Sequence, residues 1–296
     1  MSPVCSLPLD AGYKLIYCQL ILCGRDPGLI ARSWRAKGMT ELVHLEWHDF
    51  IAVLTLNVPS TRNALNAQVL LALASHLDAL STDPQCQALV ITGAGGNFCS
   101  GGDLSGMQQE STLPVSRQRL ELGHRVIRAI VGGAKPVVAA VEGYAAGAGL
   151  SLAAAADYLV ASEDARFVAA FAKVGLMPDL GLLWTLPRRI GETKSIHIFA
   201  TARVLSAGEG AELGLVDQIA APGEVLQIAI QCARDLSRHA PLPMAILKAA
   251  LAGGITTLED ALRAEKDNQS ALFLTKDHRE AVAAFMAKRR PKFCGA

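Results

Sequence analysis

The chain has 296 residues, 51% of them hydrophobic and 19% charged, with a formal net charge of +1. That balance excludes a disordered chain and an electrostatic partner such as nucleic acid. No run reaches the roughly 18 apolar residues of a membrane span, and the length admits one large core or two modest ones.

Residues 1–38 mix Pro, Gly and three of the seven cysteines, with an apolar patch at 15–22 and then Arg25, Arg32, Arg35 and Lys37. Its acids and misplaced apolar run make it a poor targeting peptide, so it reads as an N-terminal extension outside the fold. Regular patterning starts at Met39. Val43–Trp47 and Ile51–Leu56 alternate as a β-hairpin turning near His48-Asp49. A polar loop, 57–63, precedes Asn66, which is placed to cap a helix carrying Val69, Leu70, Leu73, Leu77 and Leu80. Ala88–Thr92 reads as a buried strand running into the glycine-rich stretch 93–104, and a helix is predicted near Pro114–Val131.

Val137–Val141 reads as a second buried strand. It is followed by the turn Gly143-Tyr144-Ala145-Ala146-Gly147-Ala148-Gly149 and a helix apolar on almost every face as far as Asp157. A helix with so little polar surface belongs inside the protein. Its N-terminus, wrapped in small residues, is open to two readings: an anion or oxyanion site, or close helix–strand packing. The strand–Gly turn–helix pattern occurs twice, at 88–104 and 137–150, which predicts a coiled stack of ββα units. Beyond it come a helix over 182–190, further helices to Gly214 and a last strand at 216–219. The chain is helical from 223 on, over about 223–239, 242–252, 257–273 and 277–289. The expected organisation is α/β: a spiral domain over 39–222 and an all-helical module over 223–296.

The cysteines are odd in number and scattered without CxxC spacing. They predict neither zinc nor disulfides and suit a reducing, cytoplasmic setting. The seven histidines are dispersed and show no HExxH spacing, so no metal is expected. Gly93-Ala94-Gly95 and Gly147-Ala148-Gly149 each lack the third glycine of a nucleotide loop. No GxxxxGK[ST] or GxSxG occurs either. Two glycine turns remain, each able to aim one backbone N–H into a shared space, as a thioester enolate requires. Each such donor is worth about 3–4 kcal/mol.

Asn63-Ala64-Leu65-Asn66, Phe98-Cys99-Ser100-Gly101-Gly102-Asp103-Leu104, Glu142–Gly149 and the ending Phe285–Phe293 resemble the enoyl-CoA hydratase/isomerase (crotonase) superfamily, from about residue 41 to 293. The resemblance implies a crotonase-like spiral, a C-terminal helical oligomerisation domain, and a homotrimer or dimer of trimers. It also implies an acyl-CoA substrate with no metal or redox cofactor. By position, the oxyanion donors are the N–H groups of Gly102 and Ala148. Coenzyme A lies along Arg62, Ala64, Ser100, Gly102 and Leu104, and Phe285 and Lys288, from a neighbouring subunit, meet its adenine and phosphate end. Taken alone, Arg62 and Lys288 are solvated charges.

Departures from the family pattern bear on the chemistry. The two glutamates of the hydratases fall here on Ser151 and Phe171, neither of which does acid–base work at neutral pH. One acid is left, Asp179, in Gly175-Leu176-Met177-Pro178-Asp179, where some double-bond isomerases of the family carry an aspartate. Asp179–Gly191 and Ala145–Gly149 resemble the ring-opening and enoyl isomerases of phenylacetate breakdown. The favoured expectation is an isomerase with Asp179 as proton shuttle beside an apolar wall of Phe171 and Leu176. The alternatives are a hydratase with another acid, or an inactive CoA-binding relative. Without the resemblance Asp179 is a helix-capping loop residue. Asp103 reads as structural, Glu142 as exposed or structural, and His124 as a packing or surface residue. Small residues at Ala145, Ala146 and Ala169 leave room for a bulky acyl group.

Overall fold

The computed structural model describes residues 42–103 and 112–296; the expected N-terminal extension, like Leu104, lies outside the described residues. β1 (Val43–His48) and β2 (Ile51–Leu56) form the expected hairpin, with Asp49 at φ 59° in its two-residue turn. α1 (Ala67–Thr82) starts at Asn66, whose side chain accepts from the Val69 N–H at 2.9 Å. β3 (Ala88–Gly93) and α2 (Leu113–Val131) follow, then β4 (Val137–Val141), β5 (Tyr144–Ala146) and α3 (Ala148–Ala155). Next come β6 (Tyr158–Ser162), β7 (Arg166–Val168), a 3-10 turn over Ala170–Val174, α4 (Leu182–Ile190) and α5 (Glu192–Thr201). The remaining elements are β8 (Val204–Ser206), α6 (Ala207–Leu213), β9 (Gln218–Ala220), α7 (Val225–Leu236), α8 (Pro241–Ala252), α9 (Leu258–Leu272) and α10 (Lys276–Met286).

Two expectations need correction. The stretch 143–149 is not all turn, because it contains β5. The helices leading to Gly214 are interrupted by β8. β5, β7 and β8 have three residues each, too few for alternation to register, and they exist because they pair with one another in a second sheet.

That second sheet makes the spiral. The first sheet runs β1-β2-β3-β4-β6-β9, parallel from β2 onwards, and the second runs β5-β7-β8. Single bridges extend the second sheet back along the chain, Leu65 to Gly102 and Cys99 to Ala145. Each turn of chain thus lays one segment in each sheet and returns through a helix. The repeat carries the glycine turns at 99–102 and 145–149 into adjacent positions, although they are more than forty residues apart in sequence.

The first sheet is covered on both faces, which is why its strands read as unbroken apolar runs. Ala52, Leu54, Leu56, Leu89, Ile91, Ala139 and Val141 join the main core with α1, α2 and α3. Ile51, Val53, Ala88, Val90, Val138, Ala140 and Val160 face the other way and pack on Val225, Ala229, Ile230 and Ala233 of α7. The secondary structure changes near residue 222, but the packing does not: α7 is part of the sheet's own core. From α8 on, no helix contributes a residue to either core cluster.

Candidate active site

Where the two glycine turns meet, backbone touches backbone. A Cβ on Gly101, which has φ +109°, would stand 2.9 Å from the Ala146 carbonyl oxygen and 3.7 Å from the Ala148 nitrogen. One on Gly149 would stand 2.3 Å from the Cys99 carbonyl oxygen. Neither distance leaves room for a side chain, so glycine is required for the approach itself. The close-packing reading of these residues is therefore met, since the turns lie backbone against backbone. Among the described residues neither the Gly102 nor the Ala148 N–H has an acceptor. Ala148 opens α3, all eight residues of which are buried, so its N–H adds the positive end of a helix dipole.

The loop 61–65 is hydrogen-bonded along the first turn. Ser100 donates from its N–H to Arg62 O at 2.9 Å and from Oγ to Thr61 O at 2.8 Å. Leu65 N–H donates to Gly101 O at 2.7 Å. Asn63 holds this loop in place. It is fully buried at φ 59°, its Nδ2 donates to Ala94 O and Asn97 O at 2.9 and 2.7 Å, and its Oδ1 accepts from Val58 N–H at 2.9 Å. Sequence reasoning quoted Asn63 as part of a motif without giving it this work. Arg62, Ala64, Ser100 and Gly102 are thereby brought together. Phe285 is not: it stands on α10, 82% exposed, with Lys288 exposed just beyond it. No hydrogen bond or ion pair among the described residues ties either to the two turns.

Asp179 is half-buried after the 3-10 turn, and its Oδ1 is enclosed with no hydrogen-bond partner. Burial pushes its carboxyl above the usual carboxylate range, opposed by the nearby positive groups of His124 and then Arg119. The expected apolar wall is half right. Phe171 is buried at 6% exposure, whereas Leu176 is 49% exposed. Ser151, fully buried, donates from Oγ to Gly147 O within α3 at 3.3 Å. Glu142 is structural, accepting from the Gly223 N–H at 3.0 Å. His124 keeps its reading as a surface residue, its side chain 39% exposed with Nδ1 3.8 Å from Glu121 Oε2, whereas the contact of Gly123 with Leu180, the residue after Asp179, was not considered. A usable signal was Gly123, a glycine in a helix interior, which usually has a packing reason.

A coiled stack of ββα units whose glycine turns meet backbone to backbone fits the crotonase-like class of acyl-CoA enzymes. A profile described as enoyl-CoA hydratase/isomerase matches residues 46–296. The chain belongs to that family. It is 35% identical over 261 residues to the 1,2-epoxyphenylacetyl-CoA isomerase of Escherichia coli (strain K12), covering 87% of this chain and all of that one. It is 34% identical to the crotonyl-CoA hydratase of Syntrophomonas wolfei, covering 86% of this chain and 98% of the relative. The crystal structure of an enoyl-CoA hydratase from Polaromonas sp. JS666 superposes with a TM-score of 0.80 at 35% identity, over 85% of this chain and 99% of that one. The resemblance expected from the sequence holds, and these names divide between isomerase and hydratase.

Proposed function

We propose that the chain is an enoyl-CoA isomerase that moves a double bond along an acyl thioester with Asp179 as its proton shuttle. The observation that carries this reading is the enclosed, unpartnered Oδ1 of Asp179. A buried acceptor without a donor is costly, and a substrate C–H that must lose its proton is a natural use for it. The thioester oxygen accepts from the Gly102 and Ala148 N–H groups. Asp179 takes a proton from the α or γ carbon, the paired donors hold the dienolate, and the same carboxyl returns the proton at the other end. The chemistry needs no metal and no redox cofactor, since proton transfer and charge stabilisation both come from the chain.

In this reading coenzyme A runs along Arg62, Ala64, Ser100, Gly102 and Leu104. Phe285 and Lys288 reach its adenine and phosphate end from a neighbouring subunit of a homotrimer or a dimer of trimers. The setting is cytoplasmic; among the described residues no helix is long and apolar enough to cross a membrane. The crotonyl-CoA hydratase among the relatives makes hydration the second reading. Its difficulty is chemical, since hydration uses an acid and a base, and Ser151 and Phe171 supply neither.

The test is a pair of ultraviolet assays with 3-enoyl-CoA and 2-enoyl-CoA on the wild type and Asp179→Asn. Conversion of 3-enoyl to 2-enoyl thioester, lost by about 10²–10⁴-fold in the variant, is the expected result. Hydration of 2-enoyl-CoA unaffected by the substitution would overturn the assignment. Tight CoA binding with no turnover would point to an inactive CoA-binding protein.

A further inference from the structure

Beyond α10 the chain doubles back along the helix it has just left. The reversal is at Lys288, which has φ 50°. The Lys288 N–H donates to Phe285 O at 3.1 Å and the Arg289 N–H to Ala284 O at 3.0 Å, so the turn satisfies carbonyls at the end of α10. Two carboxylates of α10 hold the returning segment. Glu280 takes Arg289 as a bidentate pair, Oε1 to Nη1 at 2.6 Å and Oε2 to Nη2 at 2.8 Å, and its Oε1 also accepts from the Lys292 N–H at 2.9 Å. Asp277, 3% exposed, accepts from the Cys294 N–H at 2.7 Å and from the Gly295 N–H at 2.8 Å. Residues 277, 280 and 284 lie three and four apart, on one face of the helix. The segment 289–295 runs back along that face, and a Cβ on Gly295 would stand 3.2 Å from Pro241 Cγ at the start of α8.

A bidentate guanidinium–carboxylate pair fixes orientation as well as distance. Arg289, with the Lys292 N–H, holds the Glu280 carboxyl down at about 2, so the pair is charged throughout the neutral range. What this clip leaves outside is the pair flanking the reversal: Phe285, 82% exposed, and Lys288, also exposed. A loose segment would have to order these side chains as a ligand arrives, at a cost in affinity. A clipped one has its backbone set beforehand.

We propose that Glu280 and Asp277 are positioning residues for coenzyme A: by clipping the segment 289–295 to α10 they fix Lys288, and the last turn that bears Phe285, in the arrangement that meets its adenine and phosphate end. The inference rests on the placing of coenzyme A given under the proposed function and extends it to two residues that do not touch the ligand. Each acts only through the backbone it holds.

The experiment compares coenzyme A with pantetheine, which lacks the adenine and phosphate end, by titration calorimetry. Glu280→Ala is expected to weaken coenzyme A by about tenfold and to leave pantetheine unchanged. In a Phe285→Ala, Lys288→Ala background the same substitution adds no further loss, since the clip then has nothing to position. Glu280→Gln and Asp277→Asn keep the shape, shift coenzyme A in the same direction by less, and serve if Glu280→Ala folds poorly. In the isomerase assay KM for the coenzyme A thioester rises while kcat, and both constants for the pantetheine thioester, stay put. The calorimetric arm needs no turnover and so stands apart from the isomerase reading. A clip that only stabilises the fold would lower the melting temperature with both affinities untouched, or weaken both ligands alike; either result overturns the proposal. Affinity lost only together with the wild-type assembly, read by sedimentation, overturns it too. Coenzyme A weakened by Phe285→Ala with Lys288→Ala but not by Glu280→Ala overturns the clip and leaves the placing of the ligand standing. No loss in either protein removes that placing and the proposal with it.

Discussion

Asp179 carries an enclosed carboxylate oxygen that nothing in the described chain satisfies, and this has a consequence for stability as well as chemistry. Its folded-state ionisation lies above that of an unfolded aspartate. Between those two values the native state binds more protons than the unfolded state, so stability falls as pH rises through the window. Above the window the protein bears the whole cost. Asp179→Asn keeps the shape and removes the charge, so at pH 7 the inactive variant is expected to melt higher than the wild type. The advantage should vanish below about pH 4, where the aspartate is protonated in both states. Differential scanning calorimetry across pH 3–8 checks it. A variant less stable than the wild type at pH 7 would mean that the carboxylate has a structural partner.

At the scale of elements, one polar cluster fastens α8 to the sheet. Lys248 is 4% exposed, ion-paired with Asp157, and donates to Lys135 O at 3.0 Å. Asp157 Oδ2 also accepts from the Val137 N–H at 2.7 Å, where β4 begins. Beside it Arg189 donates to Ala154 O and Ala156 O at 3.1 and 2.6 Å, at the C-terminal end of α3, and pairs with Asp217 at 3.1 Å. Burial pushes Asp157 up and Lys248 down, each toward its neutral form, and their mutual attraction opposes both shifts. Removing one partner strands the other, so Lys248→Ala is expected to cost about 3–5 kcal/mol in urea denaturation. The double change Lys248→Met with Asp157→Asn is expected to recover much of it. Equal losses in single and double variants would show that the pair is not coupled. The cluster matters to the site because it anchors α3, whose first N–H is the Ala148 donor.

At the scale of the whole molecule, α9 has no buried residue in the isolated chain. Leu258, Leu262, Leu274 and Met286 are 71, 46, 79 and 78% exposed, and Phe285 82%. An apolar helix face left open in this way calls for a partner. A second and third copy of the chain would cover it and would bring Phe285 and Lys288 to a neighbour's coenzyme A. Sedimentation equilibrium is expected to give a trimer or twice that. Leu258→Glu with Leu262→Glu should dissociate it and raise KM for the acyl-CoA more than it lowers kcat. A stable, fully active monomer would show that each chain builds its site alone.

Much of this was readable from the residues in order. The buried strands, the hairpin, the cap at Asn66 and the interior helix α3 are written in local patterns, because burial on two faces leaves an apolar run and burial all round leaves a helix without a polar face. The glycine turns were legible for a similar reason, since a backbone that must be approached closely admits only small residues, whereas Asp179 was singled out through the family resemblance alone. The three-residue strands of the second sheet were not, because each is stabilised by a neighbour distant in sequence and is too short to show a period. α7 was assigned to the helical module because an amphipathic pattern reveals a buried face but not what lies against it. The same limit hid the Asn63 latch, the Asp157–Lys248 staple and the contact of Gly123 on α2 with Leu180, the residue after Asp179. By itself the sequence determined the longer strands and helices, and the family. Only the tertiary structure decided which charges and donors meet, since pairing across the spiral depends on distances in space that no local spacing encodes.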